Sequence, residues 1–232
     1  VLSSGGSAVE AAIEACIVLE DDPVFNAGTG SVFRTDGSVS LDASIQTSDG
    51  RMGFVIGMGE TPNPIRVAAS LLDEGINGLC GDGARFWADE KGFKRSHVQG
   101  RKTFEGATDT VGVLTRDRDG LIVCATSTGG CSDMPPGRVG DVPLPGSGFW
   151  VQEGVGVGAT GIGEAITRGL LSFKVAELIS KGGGIEKSMM QALDDSIEEG
   201  AEVGIIALSS EGTGHGISNG ENMPWASWIA RK

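Results

Sequence analysis

The stretch "GATDTVGVLT", residues 106–115, decides how the chain is read. A polar turn, Gly106-Ala107-Thr108-Asp109, runs directly into an apolar segment that opens on Thr110 and Val111. β-Branched residues at that density predict a strand. A threonine at a strand start is by itself an ordinary structural residue, but its surroundings give it a second reading. Residues 92–109, "GFKRSHVQGRKTFEGATD", are basic and polar with little periodicity, so an exposed linker is expected there. A chain cut between Asp109 and Thr110 would leave a threonine with both a hydroxyl and a free α-amine. The reference pKa of such an amine is ~8, close enough to neutrality to accept the hydroxyl proton.

That second reading matters because other bases are scarce. There are two histidines, His97 in the linker and His215 near the C-terminus, and the latter, in "GTGHGISNG", reads as a loop residue. No G-x-S-x-G elbow and no H-E-x-x-H motif occurs. Cys16, Cys80, Cys124 and Cys131 form no C-x-x-C pair, which argues against structural zinc. Cys16 and Cys124 lie in apolar segments and read as small buried hydrophobes, the free thiols of a reducing cytosol.

Length and composition set the outer bounds. With 232 residues, 39% of them hydrophobic, the chain has enough material for a single domain with a sizeable core. The formal net charge is −13, and nothing concentrates the basic residues, so no nucleic-acid partner is expected. No apolar run approaches the ~20 residues of a membrane span. A cytoplasmic protein is the expectation. The chain begins at Val1 without methionine, and "VLSSGGS" is too short and polar for a signal peptide, so an N-terminal piece is expected to be missing from the sequence.

Working outward from Thr110, strands at Thr110–Thr115 and Leu121–Thr126 flank the turn "RDRDG" and predict a hairpin. Upstream, Ser7 and Glu10 spell a capping box that opens a helix over Ala8–Leu19. "SVFRTDGSVSLDASIQT" predicts a strand, an Asp36-Gly37 turn and a second strand with Val39, Leu41, Ala43 and Ile45 inward. "RMGFVIGM" is a further strand. Asn63-Pro64 opens a helix that ends at Gly75, and Asp82 caps a short helix through Ala88. Downstream come strands near Gly148–Gln152 and Val155–Ala159. One long helix follows, carrying Ile166, Leu170, Phe173, Val175, Leu178 and Ile179. Another helix spans Ile185–Glu198, and Val203–Leu208 is a strand. Hairpin-linked strands and two groups of helices predict an α+β layered domain with antiparallel pairing.

"DTVGVLTRDRDGLIVCATSTGG", then "PGRVGDVPLPGSG", then "ATGIGE" together resemble the plant-type L-asparaginase and isoaspartyl peptidase family, which belongs to the N-terminal nucleophile hydrolases. "NAGTGSVFRTDGSVSLDASI", residues 26–45, is similar to the family's upstream segment. "TSTGG" leans toward this branch rather than toward the sister glycosylasparaginase-like amidases. The resemblance implies a four-layer αββα sandwich, matured by cleavage into segments 1–109 and 110–232. It implies Thr110 as nucleophile, with the cleavage site at Asp109/Thr110, and Thr128 as the threonine that hydrogen-bonds the nucleophile. Thr160 and Gly161 would supply the oxyanion hydroxyl and N–H. Arg138 and Asp141 would grip the substrate's amino-acid end, and the Gly163 carbonyl would help hold its ammonium.

The resemblance further implies a structural sodium on the backbone carbonyls of Leu19, Glu20, Asp22, Phe25, Ala27 and Thr29, with no cofactor for catalysis. L-Asparagine and β-aspartyl peptides are the implied substrates, and a homodimer of αβ units the implied assembly. Relatives usually begin with a strand and a His-Gly-Gly-Ala-Gly-like turn, which should precede Val1, and many show a longer linker. A rival from another class is a nucleotide-binding module using the Gly-rich turn Thr160–Glu164. That fingerprint needs a third glycine where Ile166 stands.

Overall fold

The first helix starts where its cap says it should. In the computed structural model, which describes residues 1–102, 110–220 and 223–229, the Glu10 amide donates to Ser7 Oγ at 3.2 Å and the Ser7 amide donates to the Glu10 carboxylate at 2.9 Å. Helix α1, Ala8–Asp21, runs slightly past the expected Leu19 and stops before Pro23, which has no amide to donate. Then follow β1 (Leu41–Thr47), β2 (Met52–Met58), α2 (Pro64–Ala69), β3 (Gly78–Cys80) and α3 (Gly81–Glu90). Beyond the linker come β4 (Val111–Arg116), β5 (Ile122–Thr128), β6 (Phe149–Gln152), β7 (Val155–Gly161), α4 (Gly163–Gly169), α5 (Leu171–Ser180), α6 (Ile185–Ser196), β8 (Val203–Ser209) and β9 (Gly214–Ser218).

The strands form two sheets, ordered β3-β2-β1-β5-β4 and β6-β7-β8-β9. Pairing is antiparallel except between β2 and β3. Ala43, Ile45, Val123 and Ala125 of the first sheet pack with Ala12, Cys16, Ile65 and Ala68 of α1 and α2. On the second sheet, Val157, Val203 and Ile205 pack with Leu171, Val175, Met189 and Ala192 of the later helices. Ile122 and Cys124 meet Phe149 and Val151 between the sheets.

Several sequence expectations are corrected. Residues 31–40 do not form the first arm of a hairpin. The turn at Asp36-Gly37 closes, with the Arg34 amide donating to Ser38 O at 2.8 Å, but the preceding amides find partners elsewhere. Val32 donates to Asn26 Oδ1 at 3.0 Å, Phe33 to Arg101 O at 3.1 Å and Thr35 to Met134 O at 3.1 Å, so no ladder is left to build. The linker is accordingly not all exposed: Val98 is buried and the Arg101 amide donates to Ser31 O. Helix α2 is shorter than expected, and Asn63 uses its side chain on Asp21 rather than as a cap. Cys80 rather than Asp82 occupies the N-cap of α3.

The long helix expected after Thr160 breaks at Leu170, which adopts the left-handed conformation at φ 48°. The break lets α5 dock on the loop before β6. Ser172 Oγ donates to Ser147 O at 2.6 Å, and the Phe173 amide donates to Gly146 O at 3.0 Å. Leu170 and Phe173 are consequently surface residues rather than core. His215 sits in strand β9, paired with Ala207, and not in a loop. Thr110 leads into β4 as expected, and β4 lies at one edge of its sheet.

Candidate active site

Thr110 is half-buried at the mouth of β4, and Asp109 before it lies outside the described residues. Antiparallel pairing of β4 with β5 aligns Val111 with Ser127, which sets Thr110 beside the end of β5. There Thr110 Oγ1 donates to Thr128 Oγ1 at 3.3 Å. Thr128 is buried, and its hydroxyl also accepts the Gly130 amide at 3.0 Å. A hydroxyl held by a fixed neighbour has one orientation to offer, which is what a nucleophile needs.

Arg138 and Asp141 sit on the long loop between β5 and β6. The Asp141 carbonyl anchors that loop by accepting the Leu144 amide at 2.9 Å and the Gly148 amide at 3.1 Å. The Asp141 side chain is buried, and among the described residues its Oδ2 has no hydrogen-bond partner. Burial pushes this carboxyl up to about 7, against the pull of Arg138. Gly163 lies against both residues. A Cβ there would stand 2.7 Å from Asp141 Oδ1 and 2.9 Å from Arg138 Nη2. Arg138 donates through Nε and Nη2 to the two oxygens of Glu164, each at 2.9 Å.

Thr160 and Gly161 close β7, paired with Gly204 and Val203 of β8. They connect through Ile162 to Gly163 and so to the arginine and aspartate. Among the described residues no hydrogen bond joins Thr160 to Thr110. The turn Thr160–Glu164 leads from an antiparallel strand into a helix of seven residues, so the parallel strand–helix–strand unit of a dinucleotide fold is missing here.

Two residues of this region escaped the sequence reading. Asp42 on β1 pairs in register with Thr128, is buried, and accepts the Gly57 amide at 2.7 Å. Burial pushes its carboxyl up to about 6, while the amide of Gly57, Arg34 and Arg138 pull the other way. Arg34 is also buried and donates from Nη1 to Cys131 O at 3.2 Å. A charge inside the apolar run "SLDASI" was a visible signal for Asp42. Nothing in "VFRTDG" singled out Arg34.

The loop expected to hold sodium can be tested against its own chemistry. The Leu19 carbonyl loses its helical donor because residue 23 is proline. The Val24 amide, which would serve Glu20, donates to Asp22 Oδ1 at 3.0 Å. A Cβ on Gly28 would collide with the carbonyls of Glu20 and Pro62, and one on Gly30 with those of Phe25 and Pro23. Carbonyl oxygens are therefore crowded about two bare glycines, a donor set that fits a hard cation. The Asp22 and Ala27 carbonyls accept the Phe25 and Gly30 amides at 3.2 and 3.1 Å, each using one lone pair. Leu19 and Thr29 complete the expected set. The Glu20 carboxyl, pushed by burial up to about 8, accepts the Ile65 amide at 3.2 Å. Asn26 ties this loop to the Thr128 turn by donating from Nδ2 to Gly130 O at 2.6 Å.

The Thr110–Thr128 hydroxyl pair and the Arg138–Asp141–Gly163 cluster are the chemical groups that the fold assembles here, and similarity to known proteins places the chain among the amidohydrolases. The family model described as "Asparaginase" matches residues 1–103 and 95–232. The chain belongs to the asparaginase family. A plant-type L-asparaginase of Pyrobaculum calidifontis is 37% identical over 216 residues, 82% of this chain and 72% of that protein. An isoaspartyl peptidase/L-asparaginase of Synechocystis is 32% identical over 91% of this chain and 72% of its own length. The isoaspartyl peptidase of Escherichia coli is 32% identical over 91% of this chain and 76% of its own.

Proposed function

We propose that the protein is a threonine amidohydrolase acting on the side-chain amide of L-asparagine and on β-aspartyl dipeptides, activated by cleavage before Thr110. The observation that carries this reading is the bond from Thr110 Oγ1 to Thr128 Oγ1 at the strand start. Cleavage would free the Thr110 α-amine, which takes the hydroxyl proton as Oγ1 attacks the side-chain carbonyl carbon. The Thr160 hydroxyl and Gly161 N–H stabilise the oxyanion. The proton passes to the leaving nitrogen, ammonia or an amine departs, and water hydrolyses the β-aspartyl ester to release aspartate.

Arg138 binds the substrate α-carboxylate, a role suited to a planar guanidinium. Asp141 Oδ2, without a partner among the described residues, and the Gly163 carbonyl receive the α-ammonium. Segments 1–109 and 110–232 form one four-layer αββα unit, a reading supported by helices on the outer face of each sheet. A structural sodium on the carbonyls of Leu19, Glu20, Asp22, Phe25, Ala27 and Thr29 would brace the loop that Asn26 ties to the Thr128 turn. No cofactor takes part in the chemistry. The partner is a small-molecule substrate rather than nucleic acid or membrane, and the working form is a cytoplasmic homodimer of αβ units. Among the described residues no helix is long and apolar enough to cross a membrane.

Intact mass and product release test the reading together. Two fragments meeting at Asp109/Thr110 are expected, with ammonia released from L-asparagine and aspartate from a β-aspartyl dipeptide. An uncut chain that releases neither product would overturn it.

A further inference from the structure

We infer that Glu164 is the positioning residue for the substrate clamp: it holds one edge of the Arg138 guanidinium and leaves the other for the substrate carboxylate. The inference rests on the proposed role of Arg138. A guanidinium has two faces of paired donors that a carboxylate can meet, the Nε/Nη2 edge and the Nη1/Nη2 end. Glu164 takes the first, with both bonds at 2.9 Å. Among the described residues nothing bonds Nη1. The Arg138 side chain is 10% exposed and that of Glu164 46%, so the arginine lies inside and the glutamate closes it from the rim.

The backbone supports the same division. Glu164 follows Gly163 in the first turn of α4, and Gly163 is the residue whose missing side chain makes room for Arg138 and Asp141. Gly140 makes room on the Nη1 side, where a Cβ would stand 2.7 Å away. The guanidinium is thus held at one edge by a carboxylate and flanked elsewhere by bare backbone. Freed of Glu164, a long arginine side chain regains rotamers that it must give up again when substrate binds. The Arg138 bond also holds the Glu164 carboxyl below the usual carboxylate range, so the pair stays ionised through neutral pH. The rival arrangement has Glu164 occupying the substrate carboxylate's own place, so that it must leave before substrate enters. The two readings predict opposite signs.

The test compares the wild-type chain with Glu164→Gln, Glu164→Asp, Glu164→Ala, Arg138→Ala and the double variant Arg138→Ala/Glu164→Ala. Hydrolysis is followed for L-asparagine and for 3-aminopropanamide, which keeps the amide and amine but has no carboxylate. Glu164→Gln is expected to raise KM for L-asparagine by about tenfold, the worth of a charge-assisted contact, with kcat within about threefold. Glu164→Asp should recover part of the loss. For 3-aminopropanamide, kcat/KM should not change, because no carboxylate needs the clamp. Glu164→Ala should add nothing in the Arg138→Ala background. A lower KM in Glu164→Gln would make Glu164 a competitor and overturn the inference. So would equal losses on both substrates, or a further loss in the double variant. Calorimetric binding of L-aspartate separates the two levels of the claim. A wild-type chain that hydrolyses no asparagine sinks the functional reading. Aspartate affinity unchanged by Glu164→Gln sinks the inference about the clamp.

Discussion

Strands β1 and β5 are buried on both faces, and the two faces are built differently. Toward α1 and α2 they present Ala43, Ile45, Val123 and Ala125, with Thr47 and Ser127 on the same face by register. Toward the second sheet they present Asp42, Ser44, Gln46, Cys124, Thr126 and Thr128. The first face is mainly apolar, and its chief duty is to exclude water. Polar atoms on the second face need partners, and each partner fixes a position. Ser44 Oγ donates to Val142 O at 2.9 Å, and the Val151 amide donates to Gln46 Oε1 at 2.9 Å. These bonds set the second sheet and the loop bearing Asp141 against the first. The helix-facing side mainly supplies stability, while the sheet-facing side supplies alignment and, at its Thr128 end, the candidate site.

Substitutions on each side should separate these duties. The largest effect belongs to Thr110→Ala at the end of the polar side. Ammonia release should fall by about 10⁴-fold or more, the scale of removing a nucleophile, and cleavage should stop, while Thr110→Ser keeps measurable turnover. Assays of product release and intact mass check both; wild-type turnover in the alanine variant would end the nucleophile assignment.

Ile45→Ala on the helix-facing side should do the reverse. A fully buried isoleucine leaves a cavity costing about 2–5 kcal/mol. Denaturant titration should show that loss, with kcat unchanged wherever the chain remains folded. A large drop in kcat without a stability change would erase the division of duties.

The third effect is a slope with pH. The Asp42 and Asp141 carboxyls sit at about 6 and about 7, raised by burial above their ordinary value. A raised folded pKa favours the protonated form, so this contribution is complete below pH ~4, the unfolded value. It is lost as pH rises toward about 7. Asp42→Asn and Asp141→Asn should therefore flatten the decline in unfolding free energy across that window. On the proposed role of Asp141, substrate binding runs the other way, because a carboxyl that holds an ammonium must be ionised. KM should fall as pH rises through about 7 in the wild type and lose that dependence in Asp141→Asn.

Smallest is Ser44→Ala. It removes one hydroxyl from the sheet-facing side and should cost about 1 kcal/mol. Thr126 Oγ1, 3.5 Å from the same carbonyl, limits the damage. Thermal unfolding measures it.

The same contrast explains what the sequence disclosed. The capping box and the β4–β5 hairpin follow from local spacing, and these were legible, whereas the Thr110–Thr128 contact was expected only from the family resemblance. The alternation in "LDASIQT" was legible too, but its polar half reads as a solvated face when nothing reveals that a second sheet covers it. Asp42 was missed for that reason. Arg34, the break at Leu170 and the dissolved first arm at residues 31–40 depend on partners distant in sequence, such as Cys131, Ser147 and Arg101. No short window contains them.

Gly163 has a consequence for mutational tolerance. Any substitution adds a Cβ, which would press hardest on the ends of the Asp141 and Arg138 side chains, groups able to yield without unfolding the chain, and only lightly on the Asp141 amide at 3.3 Å. In a saturation library sorted by protein abundance, position 163 should look permissive. Sorted by growth on asparagine as nitrogen source, it should be as depleted as a reacting residue. An inventory of functional side chains would overlook it, because it has none and the room this leaves is taken by Asp141 and Arg138.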